Sequence, residues 1–223
     1  MRISLLVILA CYLAVSCTSK SGKQGTSDQQ WWSEADRALI LSELDRTTNT
    51  LKNETIHLTE AQYNFREDNG RWSIIEIIEH LELQNLLHYR EISATSLAPQ
   101  YLEFRRITEG QDAHFTKYST DTTRSKAKWY LEPRSRYKNI EDSWKAFFKA
   151  RNELKLLVKE TQIDLRKQFT FRAPVEGREI NELKIGQVRD LHQLLLTGIA
   201  HTDRHITQIQ NIKKNPDYPS EGN

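Results

Sequence analysis

Four segments of the chain carry apolar residues at steps of three and four positions, the spacing that places them on one face of an α-helix. These segments are Ser33–Leu51, Ile74–Ile92, Ile140–Glu160 and Ile185–Ile212. Helix breakers are scarce, with 8 Gly and 5 Pro among 223 residues. The pattern predicts an all-α fold in which four amphipathic helices bury their apolar faces against one another.

Capping signals mark where several of these helices begin and end. Ser33 is a suitable N-cap for the first helix, and Asp36 in its first turn complements the helix dipole. Ser73 and Glu76 form the Ser-x-x-Glu pattern of a capping box before the second helix. Pro216 follows the fourth helix and predicts its end.

The connection between the second and third helices is unusually long, at about 45 residues. An up-and-down bundle needs only short loops, so this length predicts a four-helix bundle with a long crossover between helices two and three, which are then parallel. Phe169, Phe171 and Ala173 alternate with polar residues, which predicts a short strand or hairpin that turns at Glu176–Gly177.

The first 17 residues have the features of a lipoprotein-type signal peptide. Met1-Arg2 is followed by an apolar run from Ile3 to Val15, which is too short to span a bilayer. The run ends before Cys17, the predicted lipid anchor; Cys11 has a shorter apolar run before it, and an ordinary cleaved signal is the alternative. We expect a membrane contact through this anchor and a location at the bacterial cell envelope, on the periplasmic or outer surface.

The remaining organisation is simple. Residues 18–30 are polar and predict a flexible tether, residues 31–215 predict the helical bundle, and residues 216–223 predict a disordered tail. The 32 basic and 30 acidic residues nearly cancel, so composition gives no reason to expect a nucleic-acid partner. Both cysteines lie near the N-terminus, so any metal bound by the bundle must be held by His, Asp or Glu.

Three histidines are the candidate metal ligands. His201 and His205 lie four positions apart, which places both imidazoles on one face of the fourth helix. His80 lies at the edge of the apolar stripe of the second helix, at a similar angle. Three imidazoles predict a site for one divalent ion with an open coordination position, with zinc as the first choice and nickel or iron(II) as alternatives. A pair of this kind can also be a surface coincidence or a buried structural feature.

Two motifs resemble the DinB-like proteins. The segment from Gly70 to Leu81 is similar to the family motif in which a Trp-Ser pair opens the second helix and the first metal histidine follows. The segment from His201 to Ile209 is similar to the closing motif, His-x3-His followed by Gln-Ile. The resemblance covers about Trp31 to Asn215 and implies a four-helix bundle with a metal held by His80, His201 and His205.

The same resemblance implies an activity. Family members are regarded mainly as metal-dependent hydrolases and thiol transferases, and the lipoprotein-like N-terminus favours the hydrolase because thiol cosubstrates are mainly cytoplasmic. We therefore expect a metal-dependent hydrolase acting on a small molecule. Members of the family often form dimers, so the resemblance also implies a possible homodimer. The alternative is a non-catalytic envelope lipoprotein that binds a metal or small ligand. No catalytic acid or base can be named from the sequence.

Other polar and aromatic residues receive weaker interpretations. The carboxylates of Glu76, Glu79 and Glu82 and the basic run Arg134–Lys138 are expected to face solvent. His88 is expected in the core, and His57, His114 and His192 on the surface or in loops. The pair Trp31–Trp32 either touches the membrane interface or packs over the end of the bundle.

Overall fold

A computed structural model describes residues 29–117, 126–171, 179 and 182–220 of the chain. The predicted lipid anchor Cys17, most of the tether and the predicted turn at Glu176–Gly177 lie outside these residues. Within the described residues the fold is almost wholly helical.

Four long helices form the body of the molecule, and three short helices and a two-stranded sheet lie in the connections. The helices are α1 (Glu34–Thr55), α2 (Glu60–Asn64), α3 (Ile74–Thr95), α4 (Arg105–Thr108), α5 (Asp112–Thr116), α6 (Ile140–Glu160) and α7 (Leu191–Ile212). A 3₁₀ turn at Leu102–Phe104 precedes α4, and the strands are β1 (Phe169–Phe171) and β2 (Val188–Asp190).

Two apolar clusters show how the long helices run. One cluster joins the beginnings of α1 and α7 to the ends of α3 and α6, through Ile40, Leu191, Ile92 and Leu154. We call this the Trp32 end, because Trp32 belongs to the same cluster. The helices α1 and α7 are therefore parallel to each other, and α3 and α6 run in the opposite direction.

The second cluster confirms these directions. It joins the beginnings of α3 and α6 to the ends of α1 and α7, through Ile77, Phe147, Leu51 and Ile209, and Trp72 packs against it. We call this the Trp72 end. The parallel packing of α3 and α6 requires the connection between them to return along the length of the bundle. The predicted four-helix bundle with a crossover is thus confirmed.

The predicted helix boundaries hold where capping signals are strong. Ser33 caps α1, and the capping box of Ser73 and Glu76 opens α3. The last long helix begins at Leu191 and not at Ile185, because Asp190 forms its capping box and β2 precedes it. Residues of β2 pair with the predicted strand β1 in antiparallel register, which explains why the apolar pattern of this region continues before the helix starts.

The aromatic pair at the start of the bundle packs over its end. Trp32 is only 1% exposed, and its Nε1–H donates to Nδ1 of His192 at 3.1 Å. The Asp164 carboxylate accepts the backbone N–H groups of Trp31 and Trp32. The prediction that His192 lies on the surface is wrong, because its partner Trp32 comes from a segment far away in the sequence.

The chain beyond α7 also differs from expectation. Tyr218 packs edge-to-face on Phe65 with ring centroids 5.4 Å apart, and the Gln62 amide donates to the Pro219 carbonyl at 3.1 Å. Residues 216–220, where a disordered tail was predicted, are therefore packed against α2 and the Trp72 end.

The lengths and polarity of the helices bear on membrane insertion. Among the described residues, no helix combines the length and the apolar character needed to cross a bilayer.

Candidate metal centre

The structure brings the three predicted ligands together. Nε2 of His201 lies 2.9 Å from Nε2 of His80 and 3.0 Å from Nε2 of His205. Their ligand atoms all lie within 4.8 Å of one another, and this is the only such group of His, Cys, Asp and Glu side chains in the described part of the chain. We call His80, His201 and His205 the histidine triad.

Helix packing accounts for this convergence. The four-residue spacing of His201 and His205 stacks both rings on one face of α7. Because α3 runs antiparallel to α7, the second turn of α3, from which His80 projects, lies level with the middle of α7, where His201 lies. His80 is 3% exposed and His205 is 5% exposed, so the site lies within the bundle.

The other ring nitrogens fix the orientation of two of the histidines. Nδ1 of His80 lies 2.7 Å from the backbone carbonyl oxygen of Leu131, and Nδ1 of His205 lies 2.9 Å from the side-chain oxygen of Gln208. A carbonyl oxygen can only accept, so each Nδ1 carries the proton and each Nε2 has a lone pair. Both lone pairs point toward His201.

This donor set fits a divalent metal. A single N–H of His201 can satisfy only one of the two lone pairs that face it, whereas a cation at the centre satisfies all three nitrogens. Tetrahedral zinc with bonds of about 2.0–2.1 Å places its nitrogen ligands roughly 3.3 Å apart, close to the 2.9 and 3.0 Å found here. Three imidazoles leave at least one coordination position for a further ligand.

Electrostatics favour the neutral rings that a metal requires. Burial lowers the pKa of His205 to about 3, with the nearby His80 contributing in the same direction. Burial also lowers the pKa of His80, and it lowers that of His201 well below its usual value, again reinforced by the neighbouring rings. All three imidazoles are therefore neutral near pH 7, so a metal need not displace protons from them.

Trp72 forms one wall of the site. Its ring centroid lies 4.7 Å from that of His80 and 6.3 Å from that of His205. The residue lies just before the N-cap Ser73, so the capping box that starts α3 also sets the position of this indole.

Three glutamates beside His80 on α3 contradict the sequence interpretation. Glu76, Glu79 and Glu82 were expected to face solvent, but they are 7%, 1% and 5% exposed. The crossover packs on this polar face of α3 and covers it. The apolar stripe of α3 could not reveal this, because a stripe identifies the face toward the other helices and not the face that a distant loop covers.

These carboxylates hold the returning loop in place. Glu79 accepts hydrogen bonds from the backbone N–H of Arg134 at 2.8 Å and from Nε of Arg136 at 2.9 Å. Glu82 accepts from the Arg136 guanidinium and from the Tyr137 hydroxyl, the latter at 2.8 Å. The run Arg134–Lys138 is thus only partly a solvated loop.

The same loop carries the carbonyl that orients His80. Leu131 lies three residues before Arg134, so the bonds made by Glu79 and Glu82 help to fix the position of the Leu131 oxygen. Sequence reasoning missed this contribution, because a backbone carbonyl leaves no signature in residue identity.

Other polar residues near the triad have varied roles. Gln208 orients His205, and the sequence indicated it by its spacing of three residues on one helix and by its place in the closing motif. Asp203, two residues from each of His201 and His205, binds the Arg46 guanidinium of α1 through both oxygens, at 3.0 and 2.7 Å. Gln84 lies one turn after His80, and its buried Oε1 has no hydrogen-bond partner among the described residues.

His88 lies in the core two turns beyond His80, as predicted. It is 6% exposed, and burial lowers its pKa to about 3. Its ring packs against the backbone of α7 at Gly198, where an added Cβ would lie 2.7 Å from the His88 ring. The glycine therefore makes room for the imidazole.

Comparison with known proteins gives two matches. The family model described as the DinB superfamily matches residues 28–209. A solved structure with a TM-score of 0.56 and 12% sequence identity covers 85% of this chain and 92% of its own. That protein is YfiT from Bacillus subtilis, described as a probable metal-dependent hydrolase with an unusual four-helix bundle topology. No curated protein matches the sequence.

Proposed function

Because the chain belongs to the DinB superfamily, we propose that it is a metal-dependent hydrolase whose divalent ion is held by His80, His201 and His205. The observation that carries this proposal is the convergence of the three Nε2 atoms at 2.9 and 3.0 Å, with the Nδ1 protons of His80 and His205 directed away from the centre. The description of YfiT as a probable metal-dependent hydrolase supports it by analogy of fold.

The residues of the site have distinct tasks in this proposal. A divalent ion in such a site supplies the Lewis acidity that lowers the pKa of water and polarises a carbonyl or equivalent group. The histidines bind the ion and do not serve as bases, because their Nε2 lone pairs are committed to it. Trp72 forms one wall of the site, packing tilted against the ring of His80 and nearly parallel to the ring of His205. Zinc is the proposed ion, with nickel and iron(II) as alternatives.

The first test measures the metal itself. The chain from Thr18 to Asn223, purified without a polyhistidine tag, should contain about one equivalent of metal by elemental analysis, and His80→Ala or His201→Ala should lose it while keeping helical content. His57→Ala is the matched control, because His57 is exposed and lies outside the triad. Metal retained in both triad variants would remove the basis of the proposal.

The second test measures the reaction. The metal-loaded protein should hydrolyse a member of a panel of esters and amides, lose that activity on chelation and regain it with zinc. Turnover that survives removal of the metal would contradict a metal-dependent hydrolase. Turnover of a thiol-transfer substrate alone would assign the site to the other activity implied by the family resemblance.

A non-catalytic protein that binds a metal or small ligand is the second candidate. The observation that favours it is that Glu76, Glu79 and Glu82, the carboxylates closest to His80 along α3, are all bonded to the chain around them. None of the three is free to act as a base. One equivalent of metal with no turnover across the panel would favour this candidate.

We also propose that Cys17 carries lipid and holds the protein at the bacterial cell envelope. The proposal rests on the apolar run Ile3–Val15 and its end before Cys17. Cells grown with labelled palmitate should label the chain, and Cys17→Ser should abolish the label, whereas Cys11→Ser should keep it. Equal labelling of the two variants would contradict the assignment.

A further inference from the structure

Two large aromatic side chains are exposed at the tip of a tight turn. The Leu131 N–H donates to the Lys128 carbonyl at 2.8 Å, which places Trp129 and Tyr130 at the two central positions of a β-turn. Trp129 is 71% exposed and Tyr130 is 45% exposed, and their rings meet edge-to-face with centroids 5.5 Å apart. Gly, Pro, Asn and Asp are the usual residues at the tips of such turns. The turn itself therefore does not require two large aromatic side chains, whose exposure to water forgoes the stabilisation of burial.

The surroundings of this turn are basic. The segment 126–138 contains five Lys or Arg residues and one acidic residue. Lys126, Lys128, Arg134 and Lys138 are exposed, and the one acidic residue, Glu132, pairs only with Lys126, at 3.3 Å. The fifth cation, Arg136, is held by Glu79 and Glu82 and contributes to the fold instead.

We propose that the turn Lys128–Leu131 is a contact site for an anionic lipid bilayer, in which Trp129 and Tyr130 enter the headgroup region and the surrounding Lys and Arg side chains bind lipid phosphates. Trp and Tyr are favoured at this depth, because their rings are apolar while the indole N–H and the phenol hydroxyl still reach water. Each basic residue close to an anionic surface strengthens binding roughly fivefold.

A bilayer suits this surface better than a folded protein partner or a nucleic acid. The aromatic pair stands on a convex turn, and its cations are carried on long side chains that adapt to a fluid surface. The net formal charge of +2 over the whole chain is too small to attract a nucleic acid generally, so the positive charge is a local property of this loop.

The contact would bring the histidine triad to the membrane. The carbonyl of Leu131, the last residue of the turn, accepts the Nδ1–H of His80 at 2.7 Å. Trp32 marks the opposite end of the bundle. The 22-residue α1 is about 33 Å long, and the residues from Thr18 to Gln30 can span at most about 45 Å. A chain held at Cys17 can therefore reach the same bilayer with its Trp72 end.

The test is vesicle binding by the chain from Thr18 to Asn223, which keeps every described residue and has no lipid of its own. We expect binding to phosphatidylcholine vesicles that contain phosphatidylglycerol to be about tenfold or more tighter than to phosphatidylcholine alone, and to weaken with salt. The double variant Trp129→Ala, Tyr130→Ala should weaken binding to the anionic vesicles about tenfold.

The matched control is Leu97→Ala, Tyr101→Ala, which removes two exposed apolar side chains from the Trp32 side of the crossover, one 87% and the other 45% exposed. It should bind like the unsubstituted chain. Binding that is absent, that does not distinguish the two vesicle types, or that falls equally in both double variants overturns the proposal.

A second measurement does not depend on the stability of the double variant. Lipids brominated near the headgroup should quench tryptophan fluorescence of the unsubstituted chain, and Trp129→Phe should remove most of that quenching, because Trp129 is the most exposed tryptophan described. Quenching that persists in Trp129→Phe would overturn the insertion of this turn. Either outcome can occur whether or not the protein holds a metal. The vesicle experiments therefore test the membrane contact independently of the proposed hydrolase function.

Discussion

The ring of His205 is oriented by Gln208, one turn further along α7. The amide oxygen holds the proton on Nδ1, and the lone pair on Nε2 is then available to a metal. The backbone carbonyl of Leu131 orients the His80 ring in the same way. No substitution of residue 131 removes that carbonyl directly. Gln208 is therefore the side chain through which the orientation of a ligand can be tested.

We expect Gln208→Ala to lower metal affinity by about 10–100-fold, because the His205 ring loses the partner that fixes its tautomer. Zinc titration against a competing chelator measures the change. Gln210→Ala is the control, since Gln210 lies on the same helix but bonds to Glu54 of α1, at 2.8 Å. An unchanged affinity in Gln208→Ala would show that the ring is held by packing alone.

The contact of His88 with Gly198 gives a second test at the scale of single residues. Gly198→Ala places a methyl group 2.7 Å from the His88 ring, which we expect to destabilise the protein by about 1–3 kcal/mol despite the better helix propensity of alanine. In a His88→Ala background the clash is gone, and the same substitution should stabilise by up to about 1 kcal/mol. Urea unfolding of the four proteins measures the coupling, and additive effects would contradict it.

The residues of the site were predictable from sequence to unequal degrees. His201 and His205 are indicated by a spacing that a helix translates directly into proximity. His80 needed the family resemblance as well, since its angle on another helix does not show that the two helices face each other. The Leu131 carbonyl and the Trp32–His192 bond were not predictable, because each depends on segments that meet only in the folded chain.

At the scale of elements, α3 contacts both the other long helices and the crossover. One side packs on α6 and α7, and the other side presents Glu76, Glu79 and Glu82 to the returning loop. The crossover itself was predictable from its length alone. The face it covers was not, because a row of glutamates on a helix usually faces water.

We expect Glu79→Gln to destabilise the protein by about 1–3 kcal/mol, because it weakens bonds to Arg134 and to a partly exposed Arg136. Metal affinity should fall as well, since the loop that presents Leu131 to His80 is loosened. Urea unfolding and zinc titration measure the two effects. Glu60→Gln, in the exposed first turn of α2, should change neither. A loss of stability with unchanged metal affinity would show that the position of the loop does not affect the metal site.

At the scale of the whole molecule, the fold buries imidazoles in several places. Burial lowers the pKa of His88 to about 3 and that of His192 to about 4, and it lowers the pKa of each member of the histidine triad. Asp190 acts in the opposite direction, because burial raises the pKa of its carboxyl to about 7.

The metal-free protein should therefore lose stability as the pH falls from about 6.5 to 4. Because the pKa of each of these histidines is lower in the folded protein, the unfolded chain binds more protons as the pH falls through this window, with a slope of up to about 1.4 kcal/mol per pH unit for each group. Asp190 opposes this trend, because the stabilisation from its protonated carboxyl is lost as the pH rises toward 7. Five histidines together change the stability more than this one carboxyl does. Urea midpoints in chelator measure the trend, and His88→Leu should make it shallower. A protein more stable at pH 5 than at pH 7 would contradict the prediction.

The parallel arrangement of α3 and α6 also has a kinetic consequence. These neighbours in the core are separated by the 44 residues 96–139, whereas antiparallel helices of ordinary bundles are joined by a few residues. Closing the longer loop costs about 2 kcal/mol more entropy before any contact between the two helices offsets it. Because contacts between distant segments slow folding, we expect this bundle to fold more slowly than a bundle of the same size with short loops.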